Sequence, residues 1–240
     1  MHEQGTWLHF LYAYHILPHW LPEAVPMTWL VILSLSLTAI CGTRGLKRVP
    51  SGLQNVLEFA VSALDGFVRN VIGPEYGSKY TPVIGTFFVF ILTMNLLGIV
   101  PGLMSPTTNI NTTVALALIA FVMVQYYAIS AVGVKKYVLH FAGEPIWLAP
   151  LMLPIHIIGE LARPLSLSIR LFGNIFGEDM VIAILILIVT QVLGKFLIPA
   201  QFPMLLLAIF TSFVQAMVFS VLVSIYIAIG ISEHHEEVHS

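Results

Sequence analysis

Four stretches of this chain, residues 27–43, 81–100, 111–134 and 204–231, contain no Asp, Glu, Lys or Arg. A hydrocarbon core takes about 20 such residues as one helix, so a sequence with several of these runs has few options besides a bundle of membrane-crossing helices. Composition agrees: 58% of the 240 residues are hydrophobic, 9% are charged, and mean hydropathy is +0.93. The solvent expected for this chain is a lipid bilayer.

The same numbers exclude other classes. A net charge of −2 offers no basic face to nucleic acid, and the sequence has neither a glycine-rich phosphate loop nor a zinc-ligand spacing. One cysteine, Cys41, makes no internal disulfide and reads as a packing residue. No cofactor is expected.

The first 26 residues lack Lys and Arg, and the basic cluster Arg44, Lys47 and Arg48 follows the first apolar run. A cleaved signal peptide has its charges before that run, so residues 27–43 read as a retained first span after an outer N-terminal segment, 1–26. Residues 50–72 differ in kind. Leu53, Val56, Leu57, Ala60, Leu64, Phe67, Val68 and Val71 form one apolar stripe opposite Gln54, Asn55, Glu58, Asp65 and Arg69, the pattern of an amphipathic helix lying on the membrane surface. Spans over 81–100 and 111–134 follow. Residues 146–193 then stay helical in character for about 70 Å, against a core of about 30 Å, so this segment must tilt strongly, bend or break. Pro199 and Pro203 mark a turn before a last helix at 204–231 and a polar tail at 232–240. The expected fold is all-α and single-domain, with about five membrane-crossing helices and one surface helix.

Basic residues set the orientation. With the N-terminus outside, Arg44, Lys47, Arg48, Arg69, Lys79, Lys135 and Lys136 are all cytoplasmic and Lys195 alone is outside. The C-terminal tail, with Glu233 to Glu237, is then cytoplasmic.

The chemistry concentrates in residues 156–179, where His156, Glu160, Arg163, Arg170, Glu178 and Asp179 interrupt an apolar helix. A charge at the bilayer centre costs about 2.5–3.5 kcal/mol on insertion scales, so such groups are functional candidates. His156, Arg163, Arg170 and Gly177 lie seven apart, nearly two turns, and Glu160, Asn174 and Glu178 are close in rotation. A polar track therefore runs along one face. Glu160 and Arg163, three apart, also read as a pair that merely neutralises itself near the membrane surface. Arg170 has no such escape: its neighbours at three and four residues are Ser166, Leu167, Gly173 and Asn174. A guanidinium keeps its charge to pH values above about 12, so Arg170 requires an anion its own helix does not provide.

The run from Pro164 through Ser166, Ser168 and Arg170 to Asn174 (Pro-Leu-Ser-Leu-Ser-Ile-Arg-Leu-Phe-Gly-Asn) resembles the signature of subunit a of F-type ATP synthases. The segment from Gln215 to Tyr226 is similar to that family's last helix, and Ser105 to Thr113, the entry to the third span here, is also similar to the family. The resemblance covers the chain in order from about Pro74 to Glu237; before Pro74 only the arrangement of outer terminus, span and surface helix matches. It implies a stator subunit without catalysis of its own, in a bacterial inner membrane, partnered by a ring of c subunits, the b-subunit peripheral stalk and the rest of the synthase. The two long C-terminal helices would be tilted and packed against the ring. Arg170 would face the ring carboxylates between two aqueous half-channels. Asn174 and either Glu178 or Asp179 would lie toward the outer channel; helical phase favours Glu178, while the family's spacing also fits Asp179. His156, Glu160 and Ser166 would lie toward the cytoplasm, and Gln215 would reach Arg170 from the last helix. The pattern departs from the family at Ala208, where some members have a His or Glu relay, and at Asn109, a position often acidic.

Two rival functions remain in view. A membrane cytochrome needs facing histidine pairs, and of nine histidines only His156 falls within a span. A secondary ion-coupled transporter also buries ionisable groups, but usually shows an internal repeat with two interrupted helices, whereas one such segment occurs here.

Overall fold

A computed structural model describes residues 22–44, 47, 52–100, 102–134, 137, 149–193 and 198–236. The segment expected outside before residue 22, the basic residues Arg48, Lys135, Lys136 and Lys195, and the end of the tail lie outside these residues. The described chain is helical: α1 (Ala24–Thr43), α2 (Leu53–Ile72), α3 (Gly77–Leu97), a 3₁₀ turn (Pro106–Thr108), α4 (Ile110–Val132), α5 (Ala149–Leu193) and α6 (Ile198–Glu236). Among the described residues, four segments are long and apolar enough to cross a membrane: α1, α3, α4 and residues Phe202–Ile231 of α6. The chain is an all-α membrane protein.

The core forms where α3, α4, α5 and α6 meet. Ile84, Ile91 and Met94 of α3, Ala117 and Ala120 of α4, Leu171 of α5, and Phe219, Val223 and Ile227 of α6 are buried there. Lipid is as apolar as these side chains, so close approach rather than exclusion of water must hold such helices together. Small residues provide it. A Cβ on Gly230 would come within 2.9 Å of Ala128 Cβ, which places α6 directly against α4. Tyr80 and Tyr127 meet edge-on at 4.9 Å, and Phe87 packs on Phe219 at 5.7 Å.

The surface helix α2 docks through a polar corner. Arg69 Nε pairs with Asp65 Oδ2 at 2.9 Å and donates to Ser78 Oγ at 2.7 Å, while Thr81 Oγ1 donates to Asp65 Oδ1 at 2.8 Å. Gly73, at φ 114°, turns the chain between α2 and α3 in a conformation that glycine adopts at little cost. Four residues on, a Cβ at Gly77 would stand 2.7 Å from Arg69 Cα, so only glycine allows this crossing. The α2 stripe is covered toward its C-terminal end, where Val68 is buried and Leu64, Phe67 and Val71 are half-buried, whereas Leu53, Val56 and Ala60 are exposed.

Between α3 and α4 the chain is fastened by buried hydroxyls. Ser105 Oγ donates to Met94 O at 2.9 Å, and Thr107 Oγ1 donates to Asn95 Oδ1 at 2.9 Å. Asn109 then caps α4, accepting from the Asn111 amide at 3.0 Å. Of the three outcomes open to the long segment, α5 does not break: it is one helix of 45 residues, about 68 Å at 1.5 Å per residue, with Pro154 and Pro164 inside it.

Candidate functional site

Helix α5 buries Pro164, Leu167, Ser168, Leu171 and Ile175, three and four residues apart, against α4 and α6. The polar residues ride on one border of that face, within about a third of a turn of each other. On this border Glu160, Asn174 and Glu178 turn inward toward neighbouring helices, and Arg170 turns outward.

Arg170 is exposed, set beside the exposed residues Ser166, Ile169 and Gly173, and has no ion-pair partner among the described residues. No described helix supplies the anion that its own helix lacks. A permanent cation stands at the edge of a broad apolar surface formed by Leu165, Ile169, Phe176 and Met180 of α5.

On the α6 side, Gln215 is buried and its Oε1 lies 3.5 Å from Asn174 Nδ2, a long amide-to-amide contact one turn beyond Arg170. One further turn along, Thr211 Oγ1 donates to Glu178 Oε2 at 2.6 Å. Four residues separate Asn174 from Glu178, and four separate Thr211 from Gln215, so two antiparallel helices match rung for rung. Ala208, where the family can place a relay side chain, is buried with only a methyl group to offer. Ser212 and Ser220 lie on the same buried side of α6 with hydroxyls that have no hydrogen-bond partner among the described residues. Asp179 is exposed, turned 100° about the axis from Glu178.

At the other end, Glu160 Oε1 pairs with Arg163 Nη1 at 2.6 Å, and Glu160 Oε2 accepts from Gln125 Nε2 of α4 at 2.7 Å. The Arg163 guanidinium lies over the Tyr226 ring of α6, 5.0 Å from its centroid. His156 is half-buried one turn earlier.

The candidate residues thus fall into three sets. Asn174, Gln215 and Glu178 meet at the α5–α6 contact; Glu160 and Arg163 belong to a separate cluster; Ser166, Arg170 and Asp179 face outward. Thr211, Gln125 and Tyr226 were not singled out by sequence reasoning. Thr211 could have been found by its i,i+4 spacing from Gln215, and Gln125 as a lone amide inside an uncharged span.

Residues 25–228 match the family model for the ATP synthase A chain. The chain is 42% identical over 217 residues to ATP synthase subunit a 1 of Pelobacter propionicus and, over the same length, to ATP synthase subunit a of Geobacter sulfurreducens, covering 89% of both chains in each comparison. It is 43% identical over 232 residues to ATP synthase subunit a 1 of Syntrophotalea carbinolica, with 97% of this chain and 93% of that one aligned. The outward-facing arginine without an ion-pair partner among the described residues, the paired long helices around it and these likenesses lead to one conclusion: the chain belongs to the ATP synthase A chain family, as a multi-pass membrane subunit of an ATP synthase.

Proposed function

We propose that this chain is the non-catalytic stator that couples ion flow to rotation, with Arg170 as the coupling charge. The carrying observation is that Arg170 is exposed on an apolar face and has no ion-pair partner among the described residues. Its counter-ion is a carboxylate on a ring of c subunits moving past α5. An opposite charge in a low dielectric favours the ionised form of a carboxyl group, so each ring carboxyl gives up its ion as it passes. The same cation repels an ion attempting to cross directly, and transport must go by rotation. Each elementary charge carried down the potential supplies about 2.3 kcal/mol per 100 mV.

The outer half-channel runs along Asn174, Gln215, Glu178 and Asp179, with Thr211 standing in for the group absent at Ala208. The inner half-channel lies toward His156, Glu160 and Ser166. In this reading the N-terminus is outside and the C-terminus cytoplasmic, and the b-subunit stalk holds the chain against the turning ring. No prosthetic group is needed, because moving an ion between positioned side chains requires only charge and water.

Arg170→Ala in the whole synthase, assayed as ATP-driven proton pumping in inverted membrane vesicles, tests the reading. Loss of pumping with a passive leak supports it. Retained coupled pumping overturns it.

A further inference from the structure

The Glu160–Arg163 pair is local to α5, and a pair three residues apart does not by itself connect helices. Two contacts make it tertiary. One carboxylate oxygen of Glu160 takes Arg163 and the other takes Gln125 of α4, while the guanidinium rests on the Tyr226 ring of α6. The Gln125 amide is itself oriented, since its Oε1 accepts from the Tyr137 hydroxyl. A flipped amide would turn its oxygen toward the Glu160 carboxylate, so this network has one satisfied arrangement.

Pro164 has no N–H to give to the Glu160 carbonyl, a break in the backbone ladder beside the cluster, so the side-chain contacts to α4 and α6 matter more there. A small cavity lined by Phe121, Val124, Leu167 and Val223 lies against the pair. Arg170 is seven residues further on, about 10.5 Å along the axis and nearly in rotational phase. Whatever sets α5 at Arg163 sets the height and direction of Arg170.

We propose that Gln125 and Tyr226 are positioning residues for Arg170, acting through the Glu160–Arg163 pair as a clasp across three helices. The inference rests on the reading of Arg170 as the coupling charge. Glu160 is here an anchor for the helix in addition to any part in ion access.

The test is the ratio of protons pumped to ATP hydrolysed by the whole synthase in inverted vesicles, with subunit abundance measured alongside. Gln125→Leu and Tyr226→Leu are each expected to lower the ratio about tenfold at normal abundance, since a 1 Å misplacement at a reacting centre can cost about 100-fold. Tyr226→Phe keeps the ring under the Arg163 guanidinium and is expected to hold the ratio within about twofold of the parent. A merely structural role would change abundance and not the ratio. An unchanged ratio in both leucine variants overturns the inference, as does a Tyr226→Phe ratio as low as that of Tyr226→Leu. If the leucine variants do not accumulate, Gln125→Asn, which keeps the amide and shortens its reach to Glu160, is read in their place, and an unchanged ratio there overturns the inference. Arg170→Ala in the same vesicles separates the two claims: retained coupling there would overturn the proposed function itself, whereas lost coupling there with normal clasp variants would overturn only the clasp.

Discussion

Asn174 and Gln215 face each other across the α5–α6 contact with 3.5 Å between amide nitrogen and amide oxygen, one turn from Arg170. Gln215 is buried, so removing its amide strands Asn174 rather than returning it to water. Gln215→Leu is expected to cost about 0.6–1.7 kcal/mol of stability, the range for interhelical hydrogen bonds in membranes, and to lower ATP-driven pumping further than its stability loss explains. Thermal unfolding of the purified complex and vesicle acidification measure the two effects. Equal pumping by Gln215→Leu and parent would reduce the contact to helix glue.

Arg170→Lys preserves a positive charge and changes its chemistry. An ammonium can shed its proton when desolvated, whereas a guanidinium cannot. Pumping is expected to fail in Arg170→Lys as in Arg170→Ala, with the subunit still present in the membrane at parental levels. Quantitative blotting with the acidification assay checks both halves.

Thr211→Val removes the hydroxyl donated to Glu178 and keeps the volume. Proton pumping at saturating ATP is expected to fall several-fold, and Thr211→Ser to retain it. Equal rates in both variants would show that Thr211 serves only its own backbone, where it also reaches the carbonyls of Leu207 and Ala208.

The docking of α2 carries its own pH dependence. The Thr81 hydroxyl, with smaller help from Ser78 and Arg69, holds the Asp65 carboxyl below its ordinary value of 3.8 against the opposing effect of burial. A carboxyl whose folded-state pKa is depressed contributes stability that is complete above the ordinary value and lost as pH falls through the folded one. Hydrogen exchange in residues 53–72 is therefore expected to rise as pH drops below 3.8, once corrected for intrinsic rates. Thr81→Val removes the largest cause of the depression and should shrink that rise; an unchanged profile would count against the contact.

Gly77→Leu drives a side chain into the Arg69 backbone, where even a Cβ would stand at 2.7 Å. The crossing of α2 over α3 cannot adjust by moving a flexible tip, so α2 should undock. Protease cleavage near Gly73, increased relative to parent in intact vesicles, is the readout.

The helical class and the lone charge at Arg170 were legible because both follow from the cost of polar groups in lipid, which a sequence displays directly. Partners across helices were not. Nothing in the local pattern joins Gln125 to Glu160, 35 residues apart, or Thr211 to Glu178, 33 apart, because these contacts depend on how α4 and α6 lie against α5. Rotational phase could be read only to the nearest side chain. It favoured Glu178 for the outer channel without settling against Asp179; of the two, Glu178 is the one that touches α6. The length of residues 146–193 left tilting, bending and breaking open, because a helix longer than the hydrocarbon core can do any of these; packed along α4 and α6, α5 is one continuous rod of helix.

That rod has a consequence for timing. A helix of about 68 Å fitted within a 30 Å slab gains only about 2 Å of depth per turn and travels about 5 Å sideways. Side chains one turn apart, such as Arg170, Asn174 and Glu178, would then sit at nearly one level, spaced along a line. A carboxylate sweeping past would meet them in succession. The spacing of residues along α5 would act as an order of events.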